Sequence, residues 1–98
     1  MTESAFPRIA PGEVLLNEFL IPMGISQNRL ANTINVPLRR INEIVHGKRR
    51  VTPETGLRIS KALGMSERFF IDLQLDYDIA VEIETHQAEI DAIEPLMA

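Results

Sequence analysis

The side chains best suited to chemistry in this chain fall between Gln27 and Arg50. There Arg39, Arg40, Lys48, Arg49 and Arg50 stand among the hydrogen-bonding residues Gln27, Asn42 and His46. A guanidinium presents paired N–H donors that match O6 and N7 of guanine, and an amide such as Asn42 matches N6 and N7 of adenine. Cations beside a groove neutralise phosphates instead, which fixes position without reading sequence. Charge is distributed to suit this chemistry. Residues 29–61 hold eight Lys or Arg and two acids, a net of +6. Residues 1–28 have a net of −2, residues 66–98 a net of −8, and the whole chain a net of −4. A basic middle between acidic ends implies one surface for a polyanion and another for a different partner.

Other chemistries find little support. There is no cysteine, so disulfides, thiolate zinc sites and thiol nucleophiles are excluded. The two histidines, His46 and His86, form no metalloprotease motif. Asp72, Asp76 and Asp78 lack the glycine-containing loop of a calcium site. No phosphate-cradling glycine loop occurs. The expectation is therefore a protein that is not an enzyme and takes no metal or cofactor. At 98 residues the chain makes one domain with a modest core. No signal peptide is legible, and the apolar runs fall far short of the roughly 20 residues of a membrane span. A cytoplasmic protein with no membrane partner is expected.

The elements that must position the basic residues are helices. Pro11 suits a first helical position, and Val14, Leu15 and Phe19 give the first helix an apolar face ending near Leu20, with Pro22 and Gly24 as stops. Ser26 is an N-cap for a second helix through Leu30, Ala31 and Ile34, and Asn35 ends it in the left-handed conformation that Asn tolerates. Pro37 opens a third helix with Ile41, Ile44 and Val45 inward and Gly47 as its stop. Leu38, Arg39, Arg40, Asn42, Glu43 and His46 are left outward. Thr52, Pro53 and Glu54 start a fourth helix, whose apolar face is Leu57, Ile59 and Leu63 before Gly64. Ser66 caps a fifth with the core stripe Phe69, Phe70, Leu73 and Tyr77. Beyond Tyr77 the alternation of Ile79, Val81 and Ile83 fits a strand, but Ile79, Ile83, His86, Ile90, Ile93 and Met97 follow a heptad-like seam that favours a helix.

The pair of helices from Gln27 to His46 has the ingredients of a helix-turn-helix. Ala31 is small where the helices cross, Asn35 sits at the turn four residues later, and Leu30, Ile34, Val36, Ile41 and Ile44 lock the unit. The stretches PGEVLLNEFLIPMGIS (11–26), RRINEIVHGKRRVT (39–52) and LRISKALGMSERFFIDLQ (57–74) resemble the HigA-type, VapI-like "plasmid maintenance antidote" branch of the Cro/repressor-like (XRE) superfamily. Asn35 stands where that branch often has Gly, and Phe69–Phe70 where its aromatic pair often ends in Trp.

The resemblance implies an all-α, five-helix lambda-repressor-like domain over residues 1–77 and an acidic C-terminal extension over 78–98 for dimer or partner contact. It further implies a homodimer on double-stranded operator DNA that represses its own operon. The implied partner is a RelE-like, HigB-type mRNA-cleaving toxin, and the setting is the bacterial cytoplasm, at the nucleoid when DNA-bound. DNA-contact candidates are Gln27, Pro37, Leu38, Arg39, Arg40, Asn42, Glu43, His46, Lys48, Arg49 and Arg50, with Glu43 placed either to accept from a cytosine or to orient Arg39 or Arg40; the seam candidates are Ile79, Ile83, Ile90 and Ile93. Arg58 and Lys61 read as solvated. Two other readings remain open at this point: a stand-alone repressor with no toxin, and an interaction module without DNA binding.

Overall fold

A computed structural model describes residues 8–97, and these form five helices with no strand among them. Helix α1 covers residues 11–23, α2 Gln27–Ile34, α3 Leu38–Val45, α4 Pro53–Ala62 and α5 Phe69–Asp91. Residues 1–7 of the expected N-terminal domain and the final Ala98 lie outside the described residues.

Helix α1 departs from expectation in a physically instructive way. Pro22 lies inside it rather than ending it. The stretch Leu15–Leu20 is π-helical, and the Ile21 N–H reaches back to the Leu16 carbonyl. A wider turn of this kind shifts the hydrogen-bond ladder just before the residue that has no N–H to offer. The helix stops at Gly24, which is left-handed at φ 66°, and the Ile25 N–H closes on the Leu20 carbonyl at 2.9 Å.

Helix α2 is capped as expected: Ser26 Oγ accepts from the Arg29 N–H at 3.0 Å. Asn35 adopts φ 60°, ψ 50°, and the Val36 N–H closes the turn on the Ala31 carbonyl. Pro37 is extended and sits at the N-cap of α3, one residue earlier than the sequence pattern placed it. Thr52 caps α4, with Pro53 and Glu54 in its first turn. The Ser66 side chain makes no cap hydrogen bond among the described residues. Instead Ser60, buried on α4, takes the Phe70 N–H through its Oγ at 3.3 Å.

The core forms where all five helices meet. Leu15, Ile41, Ile44, Ile59 and Phe70 are fully buried within it. Phe19, Phe69 and Phe70 pack with centroids 5.1–5.8 Å apart, Phe69 edge-on to both others and Phe19 tilted against Phe70. Leu57 is a correction: it is 45% exposed, because α4 turns Ile59 and Leu63 inward. At the N-terminus of α1 the backbone passes very close to α3. A Cβ built on Gly12 would stand 1.9 Å from the Ile44 carbonyl oxygen, so only glycine fits there.

Helix α5 runs through residues 77 and 78 without a break, so residues beyond Tyr77 are helical and not a strand. The seam is not one continuous helical stripe, however. His86 is non-helical at φ −126°, ψ 28°, the helix ends at Asp91, and Ile93 is 71% exposed beyond it. Pro95 disfavours helix at the residue before it, which suits this ending. Ile79 and Ile83 are half-buried, whereas Ile90 and Met97 are exposed. No helix among the described residues is long and apolar enough to cross a membrane.

Candidate nucleic-acid interface

Ile41 and Ile44 anchor α3 in the core, and one turn of helix then dictates what faces out. Leu38, Arg39 and Asn42 line a shallow groove together with Gln27 and Asn28 at the N-terminus of α2. Pro37 is exposed at the head of α3. Asn42 Nδ2 donates to Gln27 Oε1 at 3.4 Å, which links the two helices of the motif across their outer edge. Of the residues singled out in the sequence, Gln27, Leu38, Arg39 and Asn42 are thereby brought onto one surface.

The arginines are not equivalent. Arg39 has a side chain 86% exposed, yet its Nε donates to Glu43 Oε2 at 3.0 Å. Arg49, from the loop after α3, donates its Nε to the other oxygen, Oε1, at 2.9 Å. These hydrogen bonds, Arg49 first and then Arg39, hold the Glu43 carboxyl below the ordinary carboxylate range. Arg40 leans away and pairs with Glu54 on α4 at 3.6 Å. Lys48 is exposed with no ion-pair partner among the described residues. His46 Nδ1 lies 2.8 Å from the Asn42 carbonyl, a position at the end of α3 rather than in any metal-binding cluster, none of which occurs among the described residues.

The loop carrying Lys48–Arg50 is held from behind by α5, through residues the sequence did not mark as functional. Gln74 is buried on α5, and its Oε1 accepts from the Val51 N–H at 2.8 Å. Its Nε2 donates to Asp78 Oδ1 at 3.0 Å, and Asp78 in turn pairs with both terminal nitrogens of Arg50. Arg50 and then Gln74 hold the Asp78 carboxyl below its ordinary value, and Asp78 raises Arg50. A signal was available: Gln74 interrupts an apolar stripe four residues after Phe70. Arg58 is likewise more than a solvated cation, since its Nη1 caps α2 by donating to the Ile34 carbonyl at 2.8 Å.

Two short helices locked at a tight turn, the second presenting cations and amides outward, define a helix-turn-helix domain of the DNA-binding class. The chain belongs to the XRE-type helix-turn-helix family, whose model, described as Helix-turn-helix, matches residues 16–70. Members of this family are regulators and antitoxins, not enzymes. The chain is 37% identical over 96% of its length to Virulence-associated protein I of Dichelobacter nodosus, covering 86% of that protein. Among solved structures it resembles a Pseudomonas aeruginosa protein in complex with its 18-bp operator DNA (TM-score 0.89, 32% identity, 96% of this chain and 100% of that one). It also resembles the Pseudomonas aeruginosa antitoxin HigA with the higBA promoter (TM-score 0.83, 32% identity, 93% and 100% covered).

Proposed function

We propose that this chain is a DNA-binding antitoxin that represses its own operon as a homodimer and neutralises a RelE-like, mRNA-cleaving toxin. The observation that carries the DNA-binding part is the surface of α3: an exposed Leu38, Arg39 and Asn42 on a helix whose other side is anchored in the core. In this reading α3 enters the major groove, Arg39 reads guanine, Asn42 reads adenine and Leu38 meets a thymine methyl. Lys48, Arg49 and Arg50, with Gln27 and the backbone about Pro37, meet phosphates and fix the register. Arg40 and His46 support the same face from its margin. Relatives solved with operator and promoter DNA support the assignment.

The C-terminal stretch 78–98 supplies the partner contact in this reading. Ile79 and Ile83 on α5 join the dimer, with half-sites about 34 Å apart on the DNA. The nine acids of residues 66–98 suit a basic ribonuclease, because complementary charge speeds encounter. An exposed apolar tail of Ile90, Ile93 and Leu96 gives such a partner something to bury.

Fluorescence anisotropy on the DNA upstream of its own gene tests the first part. Preference for that duplex over a scrambled one, a steep fall with salt, and loss in Arg39→Ala are expected. Equal, weak binding to both duplexes would overturn it. A short reading frame beside the gene that encodes a small basic protein would supply the candidate toxin, and co-expression with it tests the second. Failure to form a complex and to relieve growth arrest would leave a repressor without a toxin.

A further inference from the structure

We infer that Glu43 is the positioning residue that sets the sequence selectivity of the α3 face, acting through Arg39 and Arg49 without touching DNA itself. This rests on the DNA-binding reading above. Glu43 is the one acid among the residues from Arg29 to Arg50. An acid there repels phosphates, so by charge alone it opposes binding. Geometry gives it a different role. Its side chain is only 22% exposed, and both oxygens are occupied, one by each arginine. A carboxylate with both oxygens engaged by arginines of its own helix and loop serves those arginines first.

The atoms used are informative. Each arginine gives Glu43 its inner Nε, at 3.0 Å for Arg39 and 2.9 Å for Arg49. Nη1 and Nη2 of both are left without hydrogen-bond partners among the described residues. Those two nitrogens form the end-on fork that matches O6 and N7 of guanine or two phosphate oxygens. Glu43 thus holds a long, rotamer-rich side chain by its stem and aims its tip outward. A planar fork fixed before binding loses less freedom on contact than a loose one. The same clamp ties the base-reading helix to the phosphate-binding loop through one carboxylate.

The test is Glu43→Gln, which keeps the shape but can accept from only one arginine. Affinities for the gene's own upstream duplex and for a scrambled duplex are measured side by side. The ratio between them is expected to fall about tenfold, the effect of one bidentate base contact. Scrambled-duplex affinity is expected to hold or rise, because the basic surface loses its acid. A merely structural role would lower both affinities together. Placing Glu43→Gln in an Arg39→Ala background should cost no further selectivity, and 7-deazaguanine in the duplex, which lacks N7, should weaken wild type more than Glu43→Gln. Should Glu43→Gln fold poorly, Arg39→Lys keeps the charge and the pairing but lacks the fork, and should lose selectivity while retaining scrambled-duplex binding. A wild type that prefers its own duplex while both variants keep the full ratio would overturn the inference and leave the repressor reading standing. A wild type with no preference would overturn both.

Discussion

Replacing Gln74 with leucine should cost the protein about 2 kcal/mol and loosen the loop that carries its exposed cations. Gln74 is buried and satisfied at both ends of its amide, by the Val51 N–H at 2.8 Å and by Asp78 at 3.0 Å. Leucine fits a similar volume but accepts nothing. The Val51 N–H, on a buried residue, then loses its partner, at about 1–3 kcal/mol, and the bond to Asp78 contributes roughly 0.5–1.5 kcal/mol more. Added apolar burial offsets part of this, at about 25 cal/mol per Å². The net of about 2 kcal/mol corresponds to a fall in Tm of roughly 8–16 °C for a chain of this size. Urea unfolding followed by circular dichroism, at one fixed protein concentration, measures it. Hydrogen exchange at the Val51 amide reports the local effect, and should speed up beyond the global change. A cost below about 0.5 kcal/mol with an unchanged m-value would refute the reasoning, since it would mean water already serves the Val51 N–H. If the loop meets phosphates as proposed, binding to DNA should weaken evenly across sequences.

Other substitutions test the frame around the site. Gly12→Ala places a carbon 1.9 Å from the Ile44 carbonyl, a backbone atom that cannot turn aside, so α1 must lift from α3; a loss of more than about 3 kcal/mol is expected by thermal unfolding. Asn35→Ala should cost about 1 kcal/mol and Asn35→Gly little or nothing, because the residue sits at φ 60°; equal losses by chemical denaturation would argue against a conformational cause. Asp78→Asn probes acid sensitivity. Arg50 and Gln74 depress the Asp78 carboxyl, so its stabilisation is complete above the ordinary value of about 3.9 and is lost as pH falls through the lower folded value. The gap in stability between wild type and Asp78→Asn should be flat from pH 7 to about 5, at most about 1 kcal/mol for so exposed a pair, and should close below pH 4. A gap that widened on acidification would reverse the assignment.

Local rules carried most of the helix boundaries. Ser26, Asn35 and Thr52 act at the positions their side-chain chemistry favours, and the stripes of Ile41 and Ile44 and of Phe69 and Phe70 predict the core directly. The failures have a common physical origin, which is that tertiary contacts supply what the local sequence lacks. Pro22 reads as a stop, but the π-helical stretch before it re-registers the ladder and the helix continues to Met23. Ser66 reads as a cap, but Ser60, ten residues before Phe70, provides the acceptor. Leu57 reads as core, but the four-residue period leaves it at the rim of a surface groove beside Arg58 and Lys61. The heptad spacing of residues 79–97 reads as one stripe, but it marks only which residues are apolar, and the break at His86 and the end at Asp91 depend on backbone geometry that spacing does not encode.

The same distinction explains how the site was read. Which residues face outward on α3 follows from helix periodicity, so Leu38, Arg39 and Asn42 were legible one by one. How they are held is legible only where the pair is local, as for Arg39 and Glu43 four residues apart on one helix. The tie from Arg50 to Asp78 joins different elements, and no local pattern encodes it. Arg49 and Arg50 are adjacent and identical in sequence, yet one is drawn forward to Glu43 on α3 and the other back to Asp78 on α5. Two neighbouring guanidiniums pulled in opposite directions by carboxylates from different helices make the loop a strut between the recognition helix and α5. The loop is tied at both ends in the folded chain. A loop tied in this way has less freedom left to lose on binding than an isolated basic loop. Glu43, and Asp78 with the buried Gln74 behind it, accordingly set how the exposed cations stand.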